Sequence, residues 1–89
     1  MSKPILLIVE DDQDLREALI DTAQDANVSA VPAADAEAAM RILATQPVDM
    51  VCSDVNMPGK NGMQLLQHIQ SEHPGIPVVL MTAFGSIEH

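Results

Sequence analysis

With 89 residues, 47% of them hydrophobic and 19% charged, the chain has material for one core and excludes a second. Its 4 basic and 13 acidic residues leave a formal charge of -9, the wrong sign for tracking a phosphate backbone, so no direct nucleic-acid partner is expected. A single cysteine, Cys52, excludes an internal disulfide and a Cys-built zinc site and fits a reducing, cytoplasmic location.

The run Ile5 to Val9 is continuously apolar and partly β-branched, which suits a parallel strand covered on both faces. It is too short for a signal-peptide core or a membrane span, so neither export nor membrane insertion is expected. It stops at three successive acids, Glu10, Asp11 and Asp12. From Asp12, a suitable N-cap, a helix is expected with Leu15, Ala18, Leu19, Thr22 and Ala26 as its apolar stripe and Asn27 as its close. Val28 to Val31 reads as a short strand, and Asp35 opens an Ala-rich helix through Ala44 with Met40 and Leu43 on one face, ended by Pro47.

Val48 to Ser53 reads as a mostly buried strand running into Asp54, and the stretch from Met57 to Gly62 is turn chemistry. Met63, Leu65, Leu66 and Ile69 mark a third amphipathic helix that ends before Pro74-Gly75. The apolar run Pro77 to Met81 is a fourth strand, followed by Thr82-Ala83-Phe84-Gly85 and a helix that Ser86 caps. The order βαβαβαβ implies an α/β, doubly wound parallel sheet with right-handed crossovers. Such sheets bind ligands beyond the carboxyl ends of their strands, where the strand order reverses.

Three of the four strands deliver polar side chains to that edge: Glu10, Asp11 and Asp12 from the first, Asp54 from the third, Thr82 from the fourth. Carboxylates gathered in one place repel, so the fold must raise a pKa or supply a cation. A few oxygen ligands, with water in the other positions, suit Mg²⁺. Beside such an ion a carboxylate can act as a nucleophile toward phosphorus. Asp54, the lone acid at its strand end, is the candidate nucleophile; Glu10 and Asp11 are the candidate metal holders. A Thr82 hydroxyl suits a phosphoryl oxygen, and backbone N–H groups in the Asn56 to Gly59 turn can assist.

Leu7-Ile8-Val9-Glu10-Asp11-Asp12, then Asp54-Val55-Asn56-Met57-Pro58-Gly59-Lys60-Asn61-Gly62, then Val79-Leu80-Met81-Thr82-Ala83 resemble the receiver domain of two-component response regulators. The second and third blocks are most similar to receivers of NtrC/FleR-type transcriptional activators. The resemblance implies a flavodoxin-like, CheY-like receiver fold. It implies Asp54 as phosphoacceptor, Asp11 and Asp54 as metal ligands with the Asn56 backbone carbonyl, Glu10 holding the ion through water, and Thr82 as the switch hydroxyl. Arg16, five residues after Asp11, favours the register Glu10/Asp11 over Asp11/Asp12. Asp12, Met57 and Ala83 are possible accessory positions.

The implied function is that of a cytoplasmic phosphoacceptor rather than an enzyme. It takes phosphate from a sensor histidine kinase with Mg²⁺ and switches an effector, transcriptional in kind, that lies outside this sequence. Asn61 departs from the aspartate usual in the family's loop, an exchange a turn tolerates. A full receiver continues past this length with a fifth strand and helix, so residues 1–89 are expected to be a C-terminally truncated receiver: four strands, three helices and the start of a fourth. The family's lysine has no counterpart here, since Lys60 reads as a solvated loop residue. An uncovered fourth strand would favour self-association.

Two bland assignments stand beside these: Cys52 as a small core residue, and His68 and His73 as surface residues. Three other readings compete: a pseudo-receiver acting only in protein contacts, a haloacid-dehalogenase-like phosphatase, and a nucleotide-binding fragment of similar sheet. The phosphatase reading requires Asp-x-Asp at the first strand end, and the nucleotide reading a glycine loop there. Contiguous acids occupy that position instead.

Overall fold

The computed structural model describes residues 3–55 and 62–81. The elements follow the expected alternation: β1 (Ile5–Val9), α1 (Gln13–Asp25), β2 (Ser29–Ala33), α2 (Ala36–Thr45), β3 (Met50–Asp54), α3 (Gly62–Glu72) and β4 (Val78–Met81). All pairings are parallel, in the order β2-β1-β3-β4. Strand order therefore reverses between β1 and β3, and that is where the carboxyl ends open a crevice.

Side chains alternate across the sheet with the period of two that any strand imposes. Leu7, Val9, Ala33 and Val51 join Ala36, Ala39 and Leu43 of α2 and Leu65 and Ile69 of α3 in one buried cluster. Ile8, buried on the other side of β1, belongs with Ala23 of α1 outside that cluster. The sheet is thus covered by α2 and α3 on one face and by α1 on the other, the doubly wound arrangement. β4 is the outermost described strand beside β3, and Val79, facing the α1 side, is 50% exposed.

Asp12 caps α1, its carboxylate accepting from the Leu15 N–H at 3.1 Å, and Asp35 caps α2 in the same way through the Ala38 N–H at 2.7 Å. The chain leaves α1 through Asn27, whose φ of 65° is a left-handed conformation that Asn tolerates.

Three expectations are corrected. The inward stripe of α1 is the half-buried Arg16, Leu19 and Ile20 with the buried Ala23, whereas Leu15, Ala18, Thr22 and Ala26 face solvent. Both stripes have helical spacing; the inward one begins with an arginine and so escapes a search for apolar residues. The second strand begins at Ser29 and runs through Pro32 to Ala33 rather than covering Val28 to Val31. An outer position lets Pro32 turn its missing N–H away from β1, its one neighbour among the described strands. In α3 likewise, Leu65 and Ile69 are fully buried while Met63 is 46% exposed.

Candidate functional site

β1 and β3 pair with Ile8 opposite Cys52 and Val9 opposite Ser53, so the next step of the register sets Glu10 beside Asp54. The two carboxylates are 2% and 3% exposed, and with the exposed Asp11 they bring one oxygen each to within 4.8 Å of one another. Buried acids normally demand partners, and here much of the nearby charge is of the same sign. Glu10 shows the consequence: burial pushes its carboxyl from 4.5 up to about 7. Its hydrogen bonds with Asp11 and Asp54, and the charge of Asp54, act in the same direction. The Asp12 N–H, donating to Glu10 Oε2 at 3.0 Å, opposes the rise.

The β1–α1 corner is built around Glu10. Its N–H donates to the Ala33 carbonyl at 3.0 Å, continuing the β1–β2 ladder, and its own carbonyl accepts from Arg16 Nη1 at 2.8 Å. Arg16 lies one turn into α1, where the Arg16 N–H also reaches the Asp12 carbonyl at 2.9 Å. The inward arginine thereby fastens the helix to the strand end that carries the acids.

Among the described residues, the β3–α3 corner is held mainly by backbone. The Ser53 hydroxyl donates to the Asp54 carbonyl at 3.0 Å, the Val55 N–H donates to the Met81 carbonyl at 2.8 Å, and the Gly62 N–H donates to the Val55 carbonyl at 2.9 Å. Asp54 is also opposite Met81 in the ladder, so the end of β4 lies beside Asp54.

Of the residues expected at the site, Glu10, Asp11 and Asp54 are brought together, and Asp12 stands as the cap of α1 outside that trio. Asn56, Met57, Thr82 and Ala83 lie outside the described residues. Cys52 is half-buried, its Sγ 3.3 Å from Met81 Sδ, and burial pushes its thiol pKa up. His68 and His73 are half-buried too, with rings 5.9 Å apart in a cleft that also touches Met40 and Arg41, away from the acids. Sequence reasoning gave Gly62 no part beyond turn chemistry. The structure places it against Asp54: an added Cβ would come within 2.5 Å of the Asp54 carbonyl oxygen.

Two buried carboxylates and one open to solvent form a hard, all-oxygen donor set with room for waters, which fits Mg²⁺ better than a softer ion. The raised Glu10 accords with that fit, since burial first, and the Asp54 charge to a smaller extent, disfavour an ionised carboxyl that a nearby cation would favour. Among the described residues, no helix is long and apolar enough to cross a membrane.

Residues 6–89 match the response regulator receiver domain. The response regulator FleR of Pseudomonas aeruginosa is 48% identical over 83 residues, 93% of this chain and 18% of that protein. PilR of the same organism is 36% identical over 88 residues, 99% of this chain and 20% of that protein. NtrC of Klebsiella pneumoniae, a DNA-binding transcriptional regulator, is 33% identical over 88 residues, 99% of this chain and 19% of that protein. The chain thus spans about a fifth of these relatives' length. Among solved structures, Vibrio cholerae chemotaxis protein CheY4 superposes with a TM-score of 0.88 at 26% identity, over 96% of this chain and 72% of that one. Thermotoga maritima TrrA, solved with Mg²⁺-BeF, superposes with a TM-score of 0.87 at 26% identity, over 90% of this chain and 70% of that one.

Proposed function

The chain belongs to the response regulator receiver domain family, and on that premise we propose that Asp54 is its phosphoacceptor, charged by a sensor histidine kinase with Mg²⁺ bound beside it. The observation that carries the proposal is the convergence of Glu10, Asp11 and Asp54 where the strand order reverses. Asp11 and Asp54 would hold the ion directly, Glu10 through water, and the Asn56 carbonyl would complete the protein's share. When bound, the ion offsets the charge that otherwise keeps an anionic phosphoryl group from an anionic carboxylate.

The chain's own residues do the rest. Asp54 presents a carboxylate oxygen to phosphorus; the new P–O bond forms as the donor's P–N bond breaks, and the released imidazole takes up a proton. Arg16 and the Asp12 N–H hold Glu10 in register so that the pocket does not have to assemble during the step. Thr82, next in sequence after β4, hydrogen-bonds a phosphoryl oxygen and carries the change onward. The chain is then a stoichiometric, cytoplasmic signal acceptor rather than a turnover catalyst, and a transcriptional effector is its output.

Incubation with Mg²⁺ and acetyl phosphate, read by intact mass, is the test. One phosphoryl adduct is expected, lost on omission of Mg²⁺ and in Asp54→Ala. A folded chain that gains no adduct would instead be a receiver-like module acting through contacts alone.

We also propose self-association of two copies through β4, supported by its outer position among the described strands and the exposed Val79. Sedimentation is expected to show dimer at high concentration; monomer throughout would dismiss the pairing.

A further inference from the structure

We propose that Gly62 is a positioning residue for Asp54: the missing side chain at the first residue of α3 sets where the acceptor stands at the end of β3. This rests on the reading of Asp54 as phosphoacceptor.

Gly62 is buried, and a Cβ built on it would lie 2.5 Å from the Asp54 carbonyl oxygen, 2.8 Å from the Val55 Cα and 3.1 Å from the Asp54 carbonyl carbon. All three are backbone atoms, so no side-chain rotation makes room. The need is steric and not conformational. Gly75 is the opposite case: its φ of 102° calls for glycine while an added Cβ would meet nothing within 4 Å. At Gly62 no left-handed backbone is involved, and alanine would otherwise be the better helix former.

An added methyl must move either α3 or the Asp54–Val55 peptide. α3 cannot simply lift away, because Leu65 and Ile69, at 0% exposure, are wedged into the core. The Asp54–Val55 peptide therefore takes part of the displacement. It is tied on its far side, since the Val55 N–H donates to Met81 and the Ser53 hydroxyl to the Asp54 carbonyl. Motion at residue 62 thus reaches both the acceptor carboxylate and the end of β4. A misplacement of this kind acts on the aligned step more than on binding, and about a tenfold or greater loss of rate is expected.

The test compares wild type, Gly62→Ala, Gly62→Val and a remote packing control, Ala39→Gly in α2, within the native polypeptide. Phosphorylation by acetyl phosphate is followed by intact mass at a temperature where melting curves show each variant folded. The expected result is a maximal rate falling about tenfold or more in Gly62→Ala and further in Gly62→Val. The half-saturating acetyl phosphate concentration stays near wild type, and Ala39→Gly reacts at the wild-type rate despite its lower melting temperature. Gly62→Ala reacting at the wild-type rate would overturn the proposal and leave the phosphoacceptor reading intact. Wild type failing to react would overturn both. Should the Gly62 variants not fold, amide spectra of the wild-type protein decide: the Val55 and Gly62 signals are expected to shift on phosphorylation while that of Gly75 stays. Unmoved Val55 and Gly62 signals would overturn the proposal.

Discussion

The β1–α1 and β3–α3 corners bring acids to the same pocket by different means. At the first, side chains do the holding: Arg16 fastens the Glu10 carbonyl, and Asp12 caps the helix that follows. At the second, backbone does it: Val55 bridges Met81 and Gly62, and α3 starts against the Asp54 carbonyl with no Cβ between them. The first corner carries two of the three carboxylates and their charge; the second carries the proposed nucleophile and its direction. Charge repulsion is tunable by pH and ions, whereas close backbone packing is not. Perturbing the first corner should therefore change pH and metal dependence, and perturbing the second should change reaction rate.

The larger of the two effects expected in the first corner comes from Glu10. Its folded-state value of about 7 lies above its ordinary 4.5, so between those values the folded protein holds a proton that the unfolded chain has released. Stability from this group is full below the lower value and is lost as pH rises through the upper one. Without metal, wild type should thus lose on the order of 2 kcal/mol between pH 5 and pH 8 relative to Glu10→Gln, measured by urea unfolding. Saturating Mg²⁺ should reverse the trend, because binding favours the ionised carboxylates and releases a proton near neutrality. Parallel pH profiles for wild type and Glu10→Gln would show that the cluster carries no such strain.

Much of the fold was legible because β1 and β4 are uninterrupted apolar runs and β3 a mostly apolar one, with distinct signals at their ends: acids after β1, Asp54 at the end of β3, Pro74-Gly75 before β4. The acidic trio was legible for a related reason, since parallel strands deliver their carboxyl ends to one edge whatever the packing details. Packing details were less so. The inward stripe of α1 was hidden by Arg16, whose aliphatic stem goes inward while its guanidinium finds a carbonyl. The pairing of β2 through Pro32 was hidden because a proline reads as a breaker until the strand is known to be an outer one. Gly62 was visible only as turn chemistry, because a lone glycine signals left-handed backbone and close approach equally well. The backbone angle and the distance to Asp54 together separate the two.

A smaller effect sharpens the comparison by adding a third corner, β2–α2, which has the same cap and no acidic pocket. Asp12 and Asp35 each accept one helix N–H, from Leu15 and Ala38. Replacing either with alanine should cost about 1 kcal/mol of stability by denaturant unfolding. The two should part company over Mg²⁺. Asp12 is the neighbour of Asp11, so Asp12→Ala removes a negative charge within a screening length of the pocket and should weaken Mg²⁺ binding by about twofold. Asp35→Ala should leave the affinity unchanged. The Asp12 N–H survives the substitution and still donates to Glu10, which keeps the loss small. A much larger loss would make the Asp12 side chain a direct partner of the ion, and the caps at these two corners would no longer be equivalent.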